Sequence, residues 1–462
     1  MRRRSRVTVL SVAVLALAAG ACSSAGDDSA DDTRGASTTS VGAEGRDRDR
    51  SEGEPTPIPD DVALPLVFVH GFAGSAQQYE TQAMRFVANG YPQERILAYE
   101  HDGAGLDIDG FTAGLDQFVD GALERFDATQ VYVVGHSRGT TVSSRFLSDA
   151  TRAAKVAKYV ALDGAPCVDV VPCVALTKAT YPGQAHVEVA TSAESFTDQF
   201  EFLVGSAPEI TDPAPVDGTV EISGRAVNFP ANTGRARAHL DIWAIDAETG
   251  QRTDEEPHAS SDLGPDGEFG PLELESGAHY EYVLSAPDTE VQHHLYLQPY
   301  FRDSHLVRLL SSEPDGPTRA NTNTGEGHSA LIVMRMREWY AVDRDDIEGD
   351  QRDSLVVEVV GKTDAVDVLG EFVGNATIGL HLHDDAATPG ATTRTPLPYF
   401  ADQPFQSGID LFLPAAPDGS GTIRVVNVPR GDTARPQTLN VGNWPSSGHS
   451  VSVVFSDHPV TN

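Results

Sequence analysis

The chain has 462 residues, 40% of them hydrophobic, which is length and apolar content for two or three domains with buried cores. Against 33 Lys and Arg stand 68 Asp and Glu, a formal net charge of −35. Such a surface repels phosphate instead of releasing its counterions, which excludes nucleic acid as a partner, and it repels anionic lipid as well.

At the start of the chain, Arg2, Arg3, Arg4 and Arg6 precede an apolar run from Val7 to Ala19. Thirteen residues are too few to span a bilayer, and residues 1–21 read as an export signal. The run leads into Ala19-Gly20-Ala21-Cys22, which resembles a bacterial lipobox. That resemblance implies that Cys22 is lipidated and anchors the acidic chain to a membrane on its extracytoplasmic face. The alternative is simple cleavage near Ala21 and a soluble secreted protein. Residues 22–60, Ser-, Gly-, Asp- and Glu-rich, cannot bury enough surface to fold and read as a tether. Its r.m.s. reach is ~30–35 Å.

Residues 61–207 alternate strand and helix. Leu64 to His70, Arg95 to Tyr99, Gln130 to Gly135 and Lys158 to Asp163 are short apolar runs expected as strands. Gln78 to Ala88, Phe111 to Phe126 and Thr140 to Ala150 carry apolar residues at helical spacing, as do Ala193, Phe196, Phe200 and Leu203. Continuously apolar strands between helices predict a parallel sheet covered on both faces. Residues 208–215 are a Pro- and Asp-rich linker, and beyond it the pattern becomes alternating segments separated by turn clusters. The fold class expected is therefore α/β followed by an all-β sandwich or barrel region, with one β domain over 216–305 and a second over 306–462.

Two motifs carry chemistry. Gly135-His136-Ser137-Arg138-Gly139 fits G-x-S-x-G, entered from a strand and left by a helix. A tight strand-to-helix turn exposes the Ser hydroxyl, and only glycine lets the neighbouring backbone approach so closely. The helix start then favours negative charge developing beside it. About 65 residues earlier, His70-Gly71-Phe72 closes the first strand.

On these motifs the sequence resembles the α/β-hydrolase superfamily, and its layout resembles two-part lipases and carboxylesterases with a C-terminal β region. The resemblance implies that Ser137 is the nucleophile and that the N–H groups of Phe72 and Arg138 form an oxyanion hole. His70 is expected to hydrogen-bond structurally within the oxyanion loop. Family order places the acid next and the base last. Asp163, ending the strand KYVALD, is the acid chosen, with Asp169 and Glu194 as rivals. His186 is the base chosen, since it stands just before the last helix of the α/β unit; His328, in GEGHSALIV, is its competitor. Only 22 residues lie between Asp163 and His186, which leaves little room for a further strand.

Cys167 and Cys173 lie in that stretch. In an exported chain a close pair reads as a disulfide, here stapling a small rim over the active-site edge, whereas zinc would require two more ligands nearby. His381 and His383 share one face of a strand and are expected to face solvent, without a third metal ligand. No metal and no cofactor is called for. The expected substrate is a lipidic or small ester. The rival reading is an envelope-anchored lipid- or ligand-binding lipoprotein with a vestigial hydrolase domain.

Overall fold

The computed structural model describes residues 56–457, apart from 288, 314–315, 342–351, 371–372 and 374–375. The export signal, Cys22 and the tether up to residue 55 lie outside the described residues.

The α/β unit is built on a five-stranded sheet: β1 (Leu66–Val69), β2 (Ile96–Tyr99), β3 (Val131–His136), β4 (Val156–Leu162) and β5 (Cys173–Leu176). All pairs are parallel, in the order β2-β1-β3-β4-β5. The helices are α1 (Glu80–Ala88), α2 (Ile108–Arg125), α3 (Arg138–Leu147), α4 (Ala150–Ala153), α5 (Glu188–Thr191) and α6 (Ala193–Val204).

Alternation along the strands explains why both faces are apolar. Leu66 and Phe68 of β1 join Phe86 of α1 and Phe196, Phe200 and Leu203 of α6 in one core. Val67 and Val69 join Leu115 and Val119 of α2 and Val142 and Phe146 of α3 in the other. Each fully buried side chain of this size contributes roughly 1.5–3 kcal/mol. Capping sets where the helices begin and end. Asp107 accepts from the N–H of Gly110 ahead of α2, Ser192 from that of Ser195 ahead of α6, and Gly205, at φ 91°, closes α6.

The segment between Asp163 and His186 corrects one expectation. It does hold a strand: β5 pairs with β4 from Tyr159–Cys173 to Leu162–Leu176. Four residues suffice because an edge strand needs only one partner. Cys167 and Cys173 are disulfide-bonded, and the bridge ends where β5 begins.

The linker is fastened to the α/β unit. Asn89, just past α1, accepts from the N–H groups of Glu209 and Ile210 and donates to the Ile210 carbonyl, while Arg85 donates to that of Thr211.

Beyond it the described residues are mainly β, with one short helix, Pro317–Ala320, and the helical turn Pro398–Asp402. An eight-stranded sheet takes strands from both sides of residue 305: Thr289–Leu297 pairs in parallel with His449–Phe455, which pairs in parallel with Leu331–Trp339. Its two faces carry different cores. Leu295, Leu297 and Val454 pack with Val220, Ile222 and Leu309 of one four-stranded sheet. Tyr296, Val451 and Val453 pack with Leu355, Val357 and Val425 of another. His381 and His383 are a second correction, being 5% and 4% exposed. Their strand lies inside the sheet, and the turn Pro398–Asp402 covers their face, with Phe400 stacked on His381 at 4.0 Å.

Candidate active site

Ser137 occupies the junction of β3 and α3 with φ 53° and ψ −121°, a left-handed conformation that costs a non-glycine residue energy. The neighbouring glycines make the turn possible. A Cβ on Gly139 would stand 2.1 Å from the Val69 carbonyl oxygen, and one on Gly135 would stand 2.9 Å from that of Gly139. The hydroxyl thereby projects at the C-terminal edge of the sheet, where β4 also delivers Asp163.

Three side chains named from the sequence come together there. His186 Nε2 lies 2.8 Å from Ser137 Oγ, and His186 Nδ1 lies 2.6 Å from Asp163 Oδ2. Burial pushes the Asp163 carboxyl up, but the hydrogen bond from His186, the Lys178 N–H at 3.1 Å and the Lys178 ammonium at 3.8 Å together hold it below the ordinary carboxylate value. Ionised Asp163 fixes His186 with N–H at Nδ1, which leaves Nε2 free to accept a proton.

The rivals stand elsewhere. Asp169 is exposed, Glu194 accepts from Gln184 on the first turn of α6, and His328 packs by Asp384 inside the β region.

The loop His70-Gly71-Phe72 lies against Ser137, since a Cβ on Gly71 would meet Ser137 Cβ at 2.9 Å. As the first residue of α3, Arg138 has an N–H that its helix leaves without an acceptor. The Arg138 guanidinium lies 5.2 Å from the Phe72 ring centroid and donates to the Asp102 carbonyl, so the two residues expected to form the oxyanion hole also contact each other.

His70 is buried and structural in its contacts. It donates from Nδ1 to the Gly71 carbonyl and accepts at Nε2 from the His101 N–H; burial pulls its pKa down to about 4. His136 is likewise buried, and burial lowers its pKa to about 3. It accepts from Gln78 at 2.6 Å and donates from Nε2 to the His186 carbonyl at 2.9 Å.

Sequence reasoning missed what the β region brings. Asn232 donates to the carbonyls of Gly74 and His101, bracing the oxyanion loop. The Phe405 ring lies near-parallel to His186 at 6.2 Å. Phe405 and Ala73 also line a mainly apolar pocket with Phe229, Ile332, Met334 and Met336. No local signal marks these residues, because each reaches the site across a long stretch of chain. Among the described residues no group of three or more His, Cys, Asp or Glu could hold a metal ion.

Residues 65–199 match the family model of the alpha/beta hydrolase fold, residues 218–314 that of the lipase C-terminal domain, and residues 317–459 a further C-terminal domain. The chain thus carries an alpha/beta-hydrolase-fold domain followed by a lipase C-terminal domain. A non-heme chloroperoxidase from Burkholderia pyrrocinia is 31% identical over 113 residues, 22% of this chain and 38% of the relative. The chain thus spans well under half of that relative's length. An extracellular α/β-hydrolase from a Paenibacillus species is 19% identical, covering 31% of this chain and 52% of its own (TM-score 0.19). The propeptide form of Bacillus licheniformis lipase BlEst2 is 10% identical over 84% of this chain and 95% of its own (TM-score 0.26).

Proposed function

We propose that this hydrolase cleaves carboxylic esters, acylglycerols or other lipidic esters in particular, through an acyl-enzyme on Ser137. The observation that carries the reading is the chain of contacts from Ser137 Oγ through His186 to Asp163, at 2.8 and 2.6 Å, on a strained elbow.

Ser137 Oγ attacks the ester carbonyl carbon while His186 Nε2 takes its proton. The carbonyl electrons move onto oxygen, where the N–H groups of Phe72 and Arg138 receive the charge; losing one such donor commonly costs ~3–4 kcal/mol. Asp163 stabilises the imidazolium. As the tetrahedral intermediate collapses, His186 returns the proton to the leaving alkoxide, and the alcohol departs. Water then attacks the acyl-serine with His186 as base, and the second collapse releases the carboxylic acid.

Support for a lipidic acyl group comes from the apolar pocket between Ala73 of the oxyanion loop and Phe405, and from the lipase-type C-terminal domain. The N-terminal segment that reads as an export signal, and its lipobox-like Cys22, support an activity outside the cytoplasm, held at a membrane by a lipid; the mass of the mature N-terminal peptide tests that part. Hydrolysis of p-nitrophenyl esters from C2 to C16 by wild type and Ser137→Ala tests the chemistry. Loss of activity in the variant with a preference for long chains is expected. A preference for C2 to C4 would remove the lipidic substrate, and an active Ser137→Ala would remove the mechanism.

A further inference from the structure

His186 stands on a loop whose backbone is held after it by the β region and before it by Glu188 of α5, which the β region in turn anchors. Glu338 is the next-to-last residue of the strand Leu331–Trp339 and is 0% exposed. Its carboxylate accepts from the N–H of Val187 at 2.5 Å and from that of Glu188 at 3.1 Å, the two residues directly after His186. On the other side, Glu188 accepts from the N–H of Ala185, directly before His186, at 2.9 Å. Glu188 is itself held by ion pairs with Arg337 at 2.8 Å and with Arg430. Arg430 also donates to the Glu338 carbonyl at 2.6 Å and pairs with Asp353 at 2.8 Å. Thr191 adds a hydrogen bond to the Met336 carbonyl.

We propose that Glu338 is a positioning residue for His186, so that the β region sets the reach of the base to Ser137. The proposal rests on the reading of Ser137 and His186 as nucleophile and base. The physical reason is geometric. Two buried N–H groups converge on one carboxylate, which has two oxygens for them and no donor of its own. That fixes the backbone immediately after the imidazole while His136 holds the His186 carbonyl. Proton transfer is steep in distance, and a displacement of about 1 Å can cost about 10²-fold in rate. A glutamine at 338 keeps the shape but presents an amide donor to one of the two N–H groups, so the loop must shift.

The test uses the full chain. Glu338→Gln is expected to lower kcat by about 30- to 100-fold with KM within about twofold, and to slow fluorophosphonate labelling of Ser137 in proportion. Glu358→Gln, which removes a more exposed ion pair with Arg424 elsewhere in the β region, is expected to leave kcat unchanged. In wild type, the Val187 and Glu188 amides are expected to exchange with solvent as slowly as those of β3. A folded Glu338→Gln with wild-type kcat overturns the proposal. So does rapid exchange at Val187 and Glu188, which decides the matter should the variant fail to fold. Failure of wild type itself to label would instead remove the catalytic reading on which the proposal rests.

Discussion

The ring of Phe405 lies 6.2 Å from that of His186, 19° from parallel, although one belongs to the β region and the other to the α/β unit. Phe405 also holds a left-handed backbone at φ 61° and lines the apolar pocket that reaches Ala73. A bulky residue kept in a strained conformation beside the proposed base points to a wall that shapes the substrate's path. Phe405→Ala is therefore expected to lower kcat/KM for C12 to C16 esters by about 10-fold and for C2 esters by much less. An equal loss at every chain length would assign Phe405 to packing alone.

Asp163 orients His186 through a 2.6 Å hydrogen bond. Asp163→Asn keeps the shape but lets the imidazole take the wrong tautomer. A fall in kcat of about 10³- to 10⁴-fold with little change in Tm is expected. Steady-state kinetics beside a thermal melt would check it, and a loss below tenfold would return the acid's role to another carboxylate.

Gly71 has no room for a side chain, since its Cβ would meet Ser137 Cβ at 2.9 Å. Gly71→Ala must push the oxyanion loop and the nucleophile apart. The expected result is a fall in kcat of at least about 10-fold, from lost alignment of the oxyanion donors. Gly139→Ala is predicted to be worse, because its Cβ would stand 2.1 Å from the Val69 carbonyl oxygen and the backbone itself must move. Soluble yield separates the two.

Glu281 is buried among His294, Arg252 and Tyr296. Burial raises its pKa, but the hydrogen bond and charge of His294, the charge of Arg252 and the Tyr296 hydroxyl outweigh it and bring the value down to about 2. Since the folded pKa is below the unfolded one, near 4.5, this contribution to stability is present above pH 4.5 and lost as pH falls toward 2. It amounts to roughly 3 kcal/mol. Melting temperatures between pH 6 and pH 3 should fall less steeply in Glu281→Gln than in wild type. Parallel curves would contradict the assignment.

What could be read in the sequence was local. Gly135 to Gly139 and His70 to Phe72 advertise themselves because a tight turn and a close backbone approach demand glycine at fixed spacing. Val67 and Phe68 announce a strand buried on both faces because both are apolar. Asp163 and His186 are legible from chain order together with their places, one ending a strand and one just before the last helix, and His186 stands within hydrogen-bond distance of both Asp163 and Ser137. β5 escaped notice because a four-residue edge strand leaves almost no periodic signal. For His381 and His383 alternation says that two side chains share a face, not what covers it, so the expected solvent-facing pair is buried instead. Glu338, Asn232 and Phe405 reach the site only through tertiary packing, which no short window of sequence records.

The proposed chemistry stands on Ser137 being a nucleophile activated by His186. A fluorophosphonate probe followed by peptide mapping tests it most directly, in wild type, Ser137→Ala and His186→Ala. One adduct on Ser137 is expected in wild type, none in Ser137→Ala, and labelling slowed by at least about 10³-fold in His186→Ala. Correctly folded wild type that carries no adduct, or equal labelling without His186, would contradict it.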